Sequence, residues 1–335
     1  MMSENEEPVL SKGKGTCFLA FLVLLVALMP APLAGAAPPP LPAPQAPEMP
    51  GPSHDLLTAH AAQSHGWTGN RVAWVAQGAY DEDRCAFEPY PPCVPWISSG
   101  WHSWDPDTGQ YWTDPPVWPD FGSGLALADW QFRRAVEAHA AGDEEAAYLT
   151  LGRAVHLVGD LATPAHAHLD THLPLDSDPY EAWLNEDGQA NTRAWLDAHP
   201  PGPEWDLSFS RLPGWADLNA DLQGELEAAS GLYGGRGSGQ ELWELGPAGL
   251  DATLFRLLYL VAEEADNWDS GDVSGEQTPG NLGDPAYLAA MRDGLFPQSV
   301  LYSAALLDYF ESRIPICPGC RAFLPLVQRG SASGR

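Results

Sequence analysis

The sequence predicts an all-α fold: a single multi-helix domain interrupted by long loops rich in Pro and Trp. Three observations predict it. Apolar residues recur at helical spacing in most segments beyond Ser53. Several of those segments open on a Ser or Asp that can serve as an N-cap, or on a Pro suited to a first helical turn. No stretch alternates apolar and polar residues as a half-buried strand would, and no internal repeat is present.

The helices follow in order. His54 to Gln63 begins after Ser53, a good N-cap, and Arg71 to Tyr80 is a second short helix. Gly124 to Ala140 is strongly Ala-rich. Asp143 caps the next helix, which runs from Glu144 to about Ala162, with Pro164 beyond its end. Pro179 opens a helix to about Ala198. Trp215–Leu232, Gly249–Asn267 and Asp284–Ile314 complete the pattern. The connecting segments 85–121 and 234–239 read as loops, and the second has neither the preceding strand nor the Lys–Ser/Thr of a phosphate loop.

Residues 1–37 stand apart. Lys12 and Lys14 precede an apolar run from Cys17 to Met29, which small residues close at Leu33 to Ala37. This is the pattern of a secretory signal peptide, and the run is short of the roughly 20 residues that a membrane span needs. A secreted chain, extracellular or periplasmic, with no transmembrane anchor after signal cleavage is therefore expected. Residues 38–52 form a Pro-rich linker, 53–316 the helical domain and 317–335 a Cys-containing tail. Removal of Cys17 leaves Cys85, Cys93, Cys317 and Cys320, an even count that suggests disulfides in an oxidising compartment.

The charge is lopsided. The formal net charge is −29, and Lys12 and Lys14 are the only lysines. Without the signal segment, 14 Arg face 42 Asp and Glu, because Glu4, Glu6 and Glu7 leave the total of 45. Such a surface repels polyanions and anionic membranes, so no stable nucleic-acid partner is expected; zwitterionic head groups are not excluded in this way.

The chemistry concentrates in Leu151 to Asp170. His156 and Asp160 lie four apart in an apolar, Ala-rich run, so on a helix both project from one face. His166 follows Pro164, and His168, Asp170 and His172 come next. Imidazole nitrogens and carboxylate oxygens facing one another suit a divalent zinc. Other positions belong with them: His54, the carboxylates Asp81, Glu82 and Asp83, His102 ahead of Trp104-Asp105-Pro106-Asp107-Thr108, and Glu181. His60, His65, His139 and His199 read instead as ordinary core or surface histidines. The aromatic loop Trp96–Trp118 reads as packing against the helical core and pocket wall rather than as a lipid contact.

The ordered set His54, Asp83, His102, His156, Asp160, His166, Glu181 resembles the bacterial zinc-dependent phospholipases C, whose ligand logic the single-strand-specific zinc nucleases share. The likeness covers about Ser53 to Tyr309 and is strong to Trp183. It implies two or three zinc ions. Asp83, His102, His156 and Asp160 would hold one, Asp160 would bridge to a second at His54, and His166 and Glu181 would hold the third. Asp83 is also the expected general base. Closely spaced divalent ions can clamp the attacking and departing oxygens of a phosphoester and generate hydroxide near neutral pH.

Two departures from the family pattern stand out. The position four before Glu181 is Ser177, where the family carries a His; His172 is the expected substitute, with His168 and Asp170 behind it. The family's N-terminal Trp, which binds beside the first His, has no counterpart, because no Trp precedes Trp67. The implied activity is cleavage of phosphatidylcholine-type lipids at a membrane surface to diacylglycerol and a phosphorylated head group. A single-strand nuclease or 3′-nucleotidase on the same scaffold, or a catalytically decayed zinc-binding protein, are the alternatives.

Overall fold

The computed structural model describes residues 52–82, 102–107, 124–170, 178–206, 212, 214, 251–271, 275 and 280–314. The chain divides between Pro47 and Glu48, and every described residue lies in the second unit. The described residues form eight α-helices and a 3-10 turn, with no strand among them. The signal segment, most of the Pro-rich linker, all five cysteines, the helix expected at 215–232 and the tail lie outside the described residues.

The helices are α1 (Pro52–Ser64), α2 (Asn70–Glu82), α3 (Gly124–Ala140), α4 (Glu144–Leu161), α5 (Pro164–Ala167), α6 (Pro179–Ala198), α7 (Ala252–Asp266) and α8 (Pro285–Arg313). Helix α4 is the axis of the fold. It packs most extensively on α2 and α3 and also touches α1, α7 and α8. Asp143 starts it by accepting from the Ala146 N–H at 3.1 Å. From Ala154 to Leu161 every residue is buried, so this end is enclosed on all sides rather than along one stripe. Burying Leu151, Leu157 and Leu161 contributes about 1.5–3 kcal/mol each. That apolar enclosure is what carries His156 and Asp160 into the interior.

Two glycines let α2 approach α4 closely. A Cβ at Gly78 would overlap the Leu149 carbonyl oxygen, and one at Gly152 the Val75 carbonyl oxygen. On α2 the buried residues are Val75, Gly78, Ala79 and Glu82, one helical stripe that ends on a carboxylate.

Two local expectations are corrected. Ser53 lies inside the first turn of α1 rather than capping it. Its hydroxyl donates to Asn185 Oδ1 at 3.0 Å and lies 3.2 Å from Thr192 Oγ1, so tertiary bonds to α6 replace the local cap. Helix α6 is not continuous either, because Glu186 to Gln189 leave the helical conformation, with positive φ at Asp187, Gly188 and Gln189. Side chains beyond the break take up carbonyls before it: Asn191 Nδ2 donates to Trp183 O at 2.7 Å and Thr192 Oγ1 to Leu184 O at 3.3 Å.

Candidate metal centre

Asp160 is the hub. Its Oδ2 lies 2.9 Å from His102 Nδ1 and 3.0 Å from His156 Nε2. Its Oδ1 lies 3.2 Å from His54 Nε2 and 3.9 Å from His166 Nε2. The carboxylate therefore presents each oxygen to a different pair of imidazoles. Burial pushes the Asp160 carboxyl up, but the rings of His156, His102, His166 and His54 outweigh it and hold it well below its ordinary value. The hub is a carboxylate.

Each ring arrives on a different piece of chain. His156 comes from α4 one turn before Asp160, as their spacing dictates. His54 comes from the first turn of α1 and reaches α4 at Gly159, where any Cβ would overlap its Nδ1. That glycine is needed because the imidazole occupies the space a side chain would fill. Helix α4 ends at Leu161 and Pro164 starts α5, which buries His166.

His102 is brought in by a loop pinned on three sides. The Trp104 N–H donates to the His166 carbonyl at 3.0 Å, and Ser103 Oγ lies 3.3 Å from His166 Nδ1. Trp104 is buried against Phe255 and Tyr259 of α7, with ring centroids 5.9 Å away in each case. This is the packing role expected for that loop; Trp96, Trp101, Trp112 and Trp118 lie outside the described residues.

Two glutamates flank the hub. Glu82 Oε1 lies 3.8 Å from His102 Nε2 and Glu181 Oε1 lies 3.6 Å from His166 Nε2, both carboxylates buried. Glu181 sits in the first turn of α6, whose N-cap Asp178 accepts the Glu181 N–H at 2.7 Å. Burial, followed by the neighbouring Glu181 carboxylate, pushes Asp178 up to about 7.

Of the expected site residues, His54, His102, His156, Asp160, His166 and Glu181 converge. Asp83 and His172 lie outside the described residues, as does Ser177. His168 does not join them: its Nδ1 pairs with Asp266 at 3.0 Å and its Nε2 meets the Trp268 carbonyl at 2.8 Å, which commits it to the end of α7. The turn after α5 sends it there. Asp81 also points elsewhere, accepting from Gln77 Nε2 at 2.7 Å on an exposed face. Asp105 lies close enough to Asp266 to help raise its pKa. Of Asp81 and Glu82, the described carboxylates ending α2, it is Glu82 that faces His102. Its signal was in the register, since Val75, Ala79 and Glu82 fall on one helical face and Asp81 does not.

The donor set fits a divalent metal. One donor atom each from His54, His156 and Asp160 lies within 4.8 Å of the others. Two donors bound at about 2.0–2.1 Å in a tetrahedron sit about 3.4 Å apart, close to the observed separations. Nitrogen and oxygen donors, with no cysteine among the described residues, suit zinc or a neighbouring first-row ion.

No family model and no curated protein sequence matches the chain. Among solved structures it is similar to the alpha-toxin of Clostridium absonum, with a TM-score of 0.46 and 15% identity over 79% of this chain and 64% of that one. It is also similar to an alpha-toxin of Clostridium perfringens from an avian strain, with a TM-score of 0.36 and 17% identity over 78% of this chain and 65% of that one. The chain thus spans less than two thirds of either toxin chain. Neither likeness assigns a residue or an activity.

Proposed function

We propose that the chain is a secreted zinc-dependent phosphodiester hydrolase of the phospholipase C type, acting on phosphatidylcholine-type lipids. One observation carries the metal reading: a buried carboxylate, Asp160, whose two oxygens face two separate pairs of imidazoles. Four imidazoles around a single carboxylate are more than a hydrogen-bonded structural pair needs, and a shared carboxylate is how neighbouring metal ions are bridged. The order and spacing of the ligand residues along the chain support the phospholipase class. The basic, apolar and small-residue pattern of residues 1–37 supports secretion, and no helix among the described residues is long and apolar enough to cross a membrane.

His54, His102, His156, Asp160, His166 and Glu181 would hold the metal, with His172 completing the outermost position. Bound zinc supplies Lewis acidity toward the phosphoryl group and a nucleophile near neutral pH. The chain's own residues do the rest. Ser103, 3.3 Å from His166 Nδ1, orients that ring, and the buried Glu82 carboxylate lies 3.8 Å from His102 Nε2, where it supports the charge of the site. Asp83 is the proposed base that orients the attacking water. The acidic surface disfavours polyanionic substrates and leaves a zwitterionic lipid accessible.

The test is direct. The purified chain with zinc should release phosphocholine from dispersed phosphatidylcholine, and His156→Ala should lower that rate by at least about 100-fold, the upper effect of losing mere outer support for a ligand. Release of nucleotides from single-stranded DNA without lipid cleavage would replace this reading with the nuclease one.

A further inference from the structure

The break in α6 is strained, and it builds something. Asp187 and Gln189 take left-handed backbone conformations, at φ 47° and 70°, that residues other than glycine seldom adopt. Such conformations persist only where surrounding contacts demand them. Arg193 clasps the turn, its Nε donating to Gly188 O at 3.3 Å and its Nη2 to Gln189 Oε1 at 3.1 Å. The two halves of α6 are thereby folded together. Residues 184 and 192 would stand about 12 Å apart along an unbroken helix. Here Thr192 Oγ1 donates to the Leu184 carbonyl at 3.3 Å.

The fold-back presents a polar seat to α1. Thr192 is fully buried, and with Asn185 it meets one side chain, Ser53, itself buried. Ser53 Oγ donates to Asn185 Oδ1 at 3.0 Å and lies 3.2 Å from Thr192 Oγ1, whose single proton is shared between Ser53 Oγ and the Leu184 carbonyl.

The residue after Ser53 is His54, in the first turn of α1. That turn is the weakest place for a ligand, because its N–H groups have no intrahelical partners and helix ends fray. The other rings are better placed. His156 sits in the enclosed end of α4, and the His166 carbonyl accepts from the Trp104 N–H at 3.0 Å. Leu57 buries the same face of α1 in one apolar cluster with Trp183 and Leu184, but apolar burial is non-directional and sets depth rather than register. A metal ligand must be held to within about 0.5 Å.

Resting on the zinc-hydrolase reading, we infer that Ser53, Asn185 and Thr192 are positioning residues that lock the first turn of α1 and so hold His54 Nε2 at its place 3.2 Å from Asp160 Oδ1. The break in α6 is what assembles them. They act through His54 and not on the reacting atoms.

The experiment titrates the metal-stripped full chain with zinc against a chromogenic chelator. Ser53→Ala and Thr192→Val should each weaken the zinc that depends on His54 about three- to tenfold, the size of one neutral hydrogen bond. Thr192→Ser, which keeps the hydroxyl, should bind zinc as the parent does. Ser53→Ala added to His54→Ala should cause no further loss, because nothing remains to be positioned. A purely structural role would lower affinity equally in both backgrounds. Ala suits a helix at least as well as Ser, so the Ser53 variant should fold, which its helical circular dichroism checks. Unchanged zinc affinity in both hydroxyl-deleting variants, or equal losses with and without His54, overturns the positioning inference while the hydrolase reading stands. A folded parent chain that binds no zinc overturns both.

Discussion

At the residue scale the account turns on how one buried carboxylate is surrounded. Asp160 stays ionised inside the protein because four imidazoles converge on it; Ser103 contacts the His166 ring, and the buried Glu82 and Glu181 carboxylates flank His102 and His166. The pairing of His156 with Asp160 was legible from their spacing alone, since residues four apart share a helical face. Glu82 was legible only through register. Its sequence neighbour Asp81 is equally acidic, and the buried stripe of α2 includes Glu82 and not Asp81. This yields a prediction. Glu82→Gln should weaken zinc binding about 10–100-fold, as loss of an outer partner does, with the helical circular dichroism unchanged. Asp81→Asn, on the exposed face, should leave affinity as it is. Equal zinc affinity in the Glu82 variant and the parent, by competition with a chromogenic chelator, would remove Glu82 from the site.

At the scale of helices, a second histidine ties elements together away from the site. His65, just beyond α1, places Nδ1 2.9 Å from Asp206 and Nε2 3.5 Å from Glu311 on α8. Trp67 Nε1 donates to the same Glu311 at 2.7 Å. Burial lowers the His65 pKa, but the two carboxylates outweigh it and raise it to about 9. A pKa raised on folding means the folded state holds the proton more tightly. The contribution is fully present below the unfolded value of about 6.5 and is lost as pH rises through about 9. Half-exposed Glu311 is screened by solvent, so the contribution should be about 1–2 kcal/mol. Urea unfolding should find His65→Gln less stable than the parent by that amount at pH 6, with the gap closing by about pH 10. A constant gap across this range would contradict the ion-pair account.

The helix boundaries of α3 and α4 followed from caps and Ala-rich periodicity, whereas the break in α6 did not. A lone Gly188 is tolerated in a helical pattern, and what stabilises the break is the use of Asn191 and Thr192 to satisfy freed carbonyls. Ser53 misled for a related reason. Its local role as a cap lost to hydrogen bonds with α6, which no local pattern contains. The fate of His168 was equally invisible, because a two-residue offset after α5 decides whether a ring faces Asp160 or Asp266.

At the scale of the molecule, the metal centre is where the elements meet. Ligand candidates come from α1, a loop, α4, α5 and α6, so one cluster joins segments more than a hundred residues apart. Helix α4 supplies the rigid axis, its end enclosed by apolar neighbours, and the other elements bring rings to it. Binding to the folded chain alone stabilises it with the logarithm of the ligand's excess over its dissociation constant.

The most direct test of this account is the zinc content of the folded chain after exhaustive dialysis, measured by elemental analysis beside His156→Ala. The account predicts two or three zinc ions per chain, with the substitution releasing at least one. A folded parent chain that retains no zinc, or a His156→Ala chain that retains as much as the parent, would contradict it.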